Sequence, residues 1–248
     1  MSKKQTLVQN PELSLALCAR SPKMRVLLYF GQDCISDLSA HHPFKQTQAL
    51  PQMIKQAFAQ AADLPNITKD VQELNLQAVK RVFVEQGPGS FAGLRSILAW
   101  AIGFCLPLPQ GDADKEPEQA PSALHLFTGF EAFQSEYQQQ VEAGLLAPDL
   151  SLLFALDSRR DALFFARYKQ GECLQSAQTS TQDLQLMAQS SDLHWCDEGL
   201  DLSAPFKALS PSPAAIWHAS IRKPAVRKFT QLAYYGRQAD VDPHARQN

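Results

Sequence analysis

Residues 81 to 105 constrain the fold most. RVFVE reads as a buried strand, Gly87, Pro88, Gly89 and Ser90 as a tight turn, and Phe91 to Cys105 as a helix whose only charge is Arg95. A helix that is apolar nearly all round has to be covered on more than one side. It needs a sheet beneath it and a second surface beside it, from its own chain or another. Ala92, Ser96, Ala99 and Gly103 recur at spacings of four, three and four, so small side chains form one stripe. A neighbouring helix can approach such a stripe closely, at the short end of the usual range of about 8 to 10 Å. That neighbour is either a helix of the same lobe, 45 to 62, or a helix of another chain.

The rest of the chain alternates strands and helices. Glu12 to Cys18 and Met24 to Phe30 read as a hairpin around Ala19 to Lys23, with Cys34 to Leu38 as a third strand after Gly31. Leu50, Met53, Ile54, Ala57, Phe58 and Ala61 give a helix over 45 to 62, started or kinked by Pro51. A short helix is expected within 69 to 80. Residues 107 to 122 turn abruptly to proline and acidic residues, which marks a boundary. Beyond it come a helix from Gly129 to Ala143, strands at 152 to 157, 162 to 168 and 193 to 196, a Pro-rich loop at 205 to 213, and a last helix from Ala214 to Tyr235. Hairpins mixed with crossover helices predict an α/β fold with a mixed sheet in each half.

Composition excludes several classes of function. The 248 residues carry 23 Lys plus Arg against 25 Asp plus Glu, a formal charge of −2, so no bulk basic field holds nucleic acid. Five cysteines without a CxxC pair fit neither a disulfide framework nor a zinc site, and a reducing cytoplasm is the expected compartment. The longest apolar run, Ile97 to Leu106, has ten residues, about half of a membrane span. The apolar stretch Leu13 to Ala19 is read as a first strand rather than a signal sequence. His41 and His42 are adjacent and no HxxxH or HExxH occurs, so no metal site is expected.

The GPGS turn is where chemistry or recognition could sit. Gly87 and Gly89 permit positive φ or close backbone approach, and Ser90 suits a helix N-cap. The same three residues could present amides to a phosphate. The spacing is neither a Walker loop nor the dinucleotide GxGxxG, and the acidic ribose ligand expected about 20 residues on is missing. A structural turn and a nucleotide or partner contact both remain open from the residues alone. Ser90 is read as a cap rather than a nucleophile, because no motif brings a base to it. Arg159 and Arg160, beside Asp157 at a strand end, are candidate anion contacts, with a surface ion pair as the alternative. Arg222, Lys223, Arg227, Lys228 and Arg237 form a local basic stretch on the last helix, read as a solvated face with RNA contact as the alternative.

GPGSFAGLR resembles the GPGSFTGLR signature of the TsaB (YeaZ) family, the dimerisation subunit of the bacterial machinery that makes threonylcarbamoyladenosine in tRNA. Gly87, Pro88, Gly89, Ser90, Phe91, Gly93, Leu94 and Arg95 match, and Ala92 stands where the family usually has Thr. Leu50-Pro51 and the run Asp157, Ser158, Arg159, Arg160 are similar to the family's LP-containing first helix and its DARRGEVY. The chain departs elsewhere: Cys18, Ala19, Arg20, Ser21 replace the Asp-Thr-Ser/Ala turn, and Lys45 stands for a usual His. Asp161 and Ala162 replace Gly-Glu, and His244, Ala245, Arg246 replace a closing YLR.

The resemblance implies an actin-like ATPase superfamily fold of two lobes, 1 to 107 with 214 to 248 and 120 to 213, joined by a linker at 108 to 119. It implies a non-catalytic subunit that supports the TsaD-type threonylcarbamoyl transferase, with a TsaE-type ATPase as a further partner and a homodimer when alone. The implied interface is Ala92, Leu94, Arg95, Ser96, Ala99 and Gly103 with Leu50, Met53 and Ile54. No cofactor of its own is implied, a nucleotide at the partner interface being the open alternative, and tRNA would be touched only indirectly. At the turn 18 to 21 no carboxylate remains to hold Mg²⁺ beside a phosphate. Two other classes of function stay open: an ATP-using enzyme of the superfamily, and a self-associating scaffold unrelated to tRNA.

Overall fold

Strand parity in the first half builds two apolar faces on one sheet. Leu13, Leu15 and Leu17 of β1 (Leu13–Cys18) point to one side with Met24, Val26 and Leu28 of β2 (Lys23–Phe30) and Val82 and Val84 of β4 (Val79–Glu85). Ala16, Cys18, Leu27, Tyr29 and Phe83 point to the other. A sheet buried on both sides reads as continuous apolar runs rather than simple alternation, which is how LSLALC and VLLYF look in the sequence. The computed structural model describes residues 11–20, 23–41, 46–64, 75–88, 91–106, 122–157, 163–198 and 200–226.

This first sheet has the order β3-β2-β1-β4-β5, with β3 at Asp33–His41 and β5 at Ala123–Phe127. β1, β2 and β3 are antiparallel neighbours, whereas β4 and β5 run parallel to β1. The second sheet, β10-β9-β6-β7-β8, repeats the plan: β6 (Ser151–Asp157), β7 (Leu163–Lys169) and β8 (Glu172–Thr179) form the meander, and β9 (Leu193–Asp197) and β10 (Lys207–Leu209) add in parallel. The expected α/β class with a mixed sheet in each half is therefore the one observed.

Among the described residues five α-helices place these sheets in layers. α1 (Gln46–Ala62) covers β2 and β3, and α2 (Phe91–Cys105) covers β1, β4 and β5. α3 (Gly129–Glu142) lies between the sheets, with Ala132 packed on the first and Phe130, Phe133 and Tyr137 on the second. α5 (Pro213–Ile221) shares that middle layer through Ile216 and Trp217, and α4 (Thr181–Ala188) covers the far face of the second sheet through Leu184 and Ala188. Among the described residues no helix is long and apolar enough to cross a membrane.

Several elements differ from the sequence reading. β5 closes the first sheet from beyond the Pro-rich stretch, and α4, β8 and β10 are additions. Residues 172 to 178 of β8 are all exposed, so no buried face leaves an alternation to read. α1 runs through Pro51, whose side is exposed. The last helix stops at Ile221, where Pro224 follows without an N–H to offer; the expected continuation to Tyr235 lies outside the described residues beyond Val226. Leu76–Ala78 form a single 3₁₀ turn capped by Asn75, and the rest of the expected 69 to 80 helix before Asn75 lies outside the description.

Candidate functional site

The C-terminal ends of β1, β4 and β9 converge on the N-terminus of α3, a crevice between the lobes of the kind in which open α/β sheets bind ligands. In this chain the crevice is filled from within. Arg20, two residues past β1, donates from Nε to Glu85 Oε1 at 2.6 Å and places Nη1 3.6 Å from Asp197 Oδ1 of the second sheet. Its guanidinium carbon stands 5.4 Å from the centroid of the Phe133 ring. The three side chains are 11 %, 0 % and 10 % exposed, so this is a buried charge cluster, one cation between two carboxylates.

Backbone geometry closes the crevice further. Gly87, at φ +117°, occupies a region that L side chains avoid, and its carbonyl accepts from Gly129 N at 2.9 Å. A Cβ on Gly129 would lie 2.7 Å from Glu85 Oε1 and 2.9 Å from Leu156 Cδ1, so only glycine lets the start of α3 reach the cluster. The α3 N-terminus is occupied by its own capping box: Thr128 Oγ1 accepts from Glu131 N at 3.2 Å, and Glu131 Oε2 accepts from Thr128 N at 2.7 Å. Those donors are spent internally rather than offered to an anion.

Burial governs the protonation of this cluster. It pushes the Glu85 carboxyl up despite the Arg20 guanidinium beside it, and Asp197 is raised by the same cause. Glu85 Oε2 finds no hydrogen-bond partner among the described residues. The Cys18 thiol is pushed up by burial and then by the Glu85 charge, which keeps it neutral and unreactive. Arg20 is held charged by both carboxylates although burial opposes it. Two carboxylates that the sequence reading did not place at this turn therefore face it, and both are engaged by Arg20. Among the described residues no group of three or more His, Cys, Asp or Glu side chains could hold a metal ion.

A second surface is built on α2. Its residues fall into rows four apart: Ile97, Ala101 and Cys105 are buried against the sheet, and Leu94, Leu98 and Ile102 form one flank. Ser96, Trp100 and Phe104 form the other flank, and Arg95, Ala99 and Gly103 are exposed on the outside. Ser96 Oγ is 2.5 Å from Thr47 Oγ1 of α1, so that flank faces α1. The rings of Trp100 and Phe104 stack at 5.2 Å, half-buried. A Cβ on Gly103 would meet nothing within 4 Å.

The expected interface is thereby redrawn. Leu50, Met53 and Ile54 are 2 to 3 % exposed in the core of their own lobe, because the apolar stripe of α1 faces the sheet, and are not available to a partner. Ser96 belongs to the α1 flank, and Leu94 packs on the core. Arg95, Ala99 and Gly103 lie outward. The side chain of Ala92, and Gly89, Ser90, Arg159, Arg160 and residues 227 to 248, lie outside the described residues. Arg20, Glu85 and Asp197 carry no mark of a set in the sequence, because they sit 65 and 112 positions apart. The one available signal is a cation in a turn that follows a strand apolar at every position but Ser14.

Comparison with known proteins gives a fold likeness. No family model matches the chain, and no curated protein does. Among solved structures, a Pseudomonas aeruginosa protein with similarity to peptidase YeaZ is 17 % identical with a TM-score of 0.58, over 87 % of this chain and 94 % of that one. YeaZ from Pseudomonas aeruginosa is likewise 17 % identical at a TM-score of 0.58, over 89 % of this chain and 97 % of that one. The chain therefore has the fold of YeaZ-like proteins along nearly its whole length.

Proposed function

We propose that this chain is a non-catalytic subunit that docks through the outer row of α2 onto a TsaD-type threonylcarbamoyl transferase and supports formation of threonylcarbamoyladenosine in tRNA. The observation that carries the reading is the exposed row Arg95, Ala99 and Gly103 on a helix that is otherwise apolar and lined by the half-buried Trp100–Phe104 stack. Small side chains in this row let a helix of another chain come close. The GPGSFAGLR string at the start of the same helix supports the identity of the partner. In the absence of that partner a second copy takes the surface, and a TsaE-type ATPase joins the assembly in the cytoplasm. Contact with tRNA is left to the partner.

The alternative of an ATP-using enzyme is disfavoured by the Arg20 cluster, whose cation is already neutralised where a phosphate would need it. The proposal is tested by co-purifying the chain with the organism's TsaD-type subunit and assaying ATP hydrolysis by the isolated chain. Stable co-purification without hydrolysis is expected. Hydrolysis by the isolated chain near the enzymatic range of about 1 s⁻¹ or faster would favour the enzyme reading.

A further inference from the structure

Among the described residues, three of the four sheet edges are guarded against pairing with another strand. β5 is covered from outside by the chain itself, where Val226 N donates to the Leu124 carbonyl at 2.7 Å. β10 is three residues long and flanked by Pro205 and Pro211. β3 carries Asp33 and Asp37, and Asp37 is paired with Arg25 at 2.6 Å. A covering segment, short length, proline and charge are the usual means by which a chain keeps a free edge from pairing.

β8 has almost none of them. Its eight residues, ECLQSAQT, hold a single charge, Glu172 at the start, and no Lys, Arg or Pro. Its bulge lies at Leu174, where Arg167 faces Gln175 and the next residue, Tyr168, faces Cys173; Gln175 to Thr179 then follow β7 in regular register. β7 takes one edge of β8, and among the described residues no strand takes the other. Both faces are open as well. Residues 172 to 178 are exposed, because α4 packs through Leu184 and Ala188 on β6, β7 and β9 and does not cover β8.

We infer that β8 is an association edge that pairs antiparallel with β8 of a second copy of this chain, joining the two second sheets into one continuous sheet. The strand is complementary to itself. Antiparallel pairing about a two-fold axis sets the two Glu172 carboxylates at opposite ends, whereas a parallel pair would set them side by side. The centre of the pair then holds Gln175, Ser176, Ala177 and Gln178, all neutral, whose amides and hydroxyl can bond across the strands. Leu174, 58 % exposed, adds apolar area on either side of that centre. β8 belongs to the second sheet and the outer row of α2 to the first lobe, so the inference does not depend on what binds that row.

The test uses the full chain carrying Gly103→Leu as the parent, so that association through α2 is weakened, and follows it by sedimentation over a concentration series. A dimer is expected. Ser176 and Gln178 point to the same face, opposite Ala166 and Phe164 of β7. Ser176→Lys with Gln178→Lys should therefore weaken the dimer about tenfold or more, because like charges meet across the two-fold axis, and Ser176→Glu with Gln178→Glu should do the same. An equal mixture of the two double variants should recover to within about threefold of the parent, since opposite charges then face each other. Both positions are exposed, so melting temperatures should stay within a few degrees of the parent. A parent that stays monomeric throughout, leaving this edge to a foreign strand or to none, overturns the inference. So do charged variants that dimerise like the parent, or a mixture that does not recover.

Discussion

Arg20 Nε donates to Glu85 Oε1 at 2.6 Å, joining the ends of two neighbouring parallel strands, while the same guanidinium faces Asp197 of the other sheet. One side chain therefore ties the ends of the two sheets together. The tie is reinforced nearby. Lys23 pairs with Glu198, Arg25 Nη1 donates to the Pro211 carbonyl at 2.6 Å, and the Tyr29 hydroxyl donates to the Pro213 carbonyl at 2.8 Å.

Removing the cation should be costly. Arg20→Ala leaves two buried carboxylates without their partner, a change that costs about 3 to 5 kcal/mol in buried pairs. Adding Glu85→Gln should recover part of that loss, by roughly 0.5 to 3 kcal/mol, because the two residues share one interaction. Urea unfolding of the wild type, both single variants and the double variant checks this; strictly additive effects would show that the pair is not coupled.

The same cluster predicts a pH dependence. Glu85 has its folded-state pKa raised above the ordinary value of 4.5 by burial. The folded state then holds the proton more tightly than the unfolded one, so this group favours folding at low pH and loses that contribution as pH rises through its raised pKa. Wild type minus Glu85→Gln stability should fall with pH above 4.5 and level off once Glu85 is ionised. A difference that rises across this interval would reverse the assignment.

Two glycines should respond oppositely to one methyl group. Gly129→Ala drives Cβ against Glu85 and Leu156 and should destabilise by about 1 to 3 kcal/mol. Gly103→Ala meets open space inside a helix and should stabilise the isolated chain by about 0.5 to 1 kcal/mol. Thermal melting of both variants distinguishes local crowding from a general intolerance of alanine.

Much of this was legible in the sequence, and the rest was hidden for identifiable reasons. The β1–β2 hairpin, α1, the β4–turn–α2 unit and the helix from Gly129 announce themselves by apolar period and turn residues. β8 and α4 do not, since β8 is nearly all exposed and α4 buries only Leu184 and Ala188. The small-residue stripe on α2 was visible, but its orientation was not: only the position of α1 decides that Ser96 turns inward while Ala99 and Gly103 turn out. The Arg20 cluster depends on the docking of two sheets, which no local pattern encodes.

The outward row of α2 is the central claim, and Gly103→Leu tests it most directly. Its Cβ meets nothing within 4 Å in the isolated chain, so the variant should melt within a few degrees of wild type. Overpacking a helix–helix contact costs roughly 1 to 3 kcal/mol, which weakens association by about one to two decades. The measurement is sedimentation of wild type and Gly103→Leu, alone and with the TsaD-type subunit, paired with melting temperature. A folded variant with weakened assembly is the predicted result; a variant that assembles with unchanged affinity would contradict the docking role of this face.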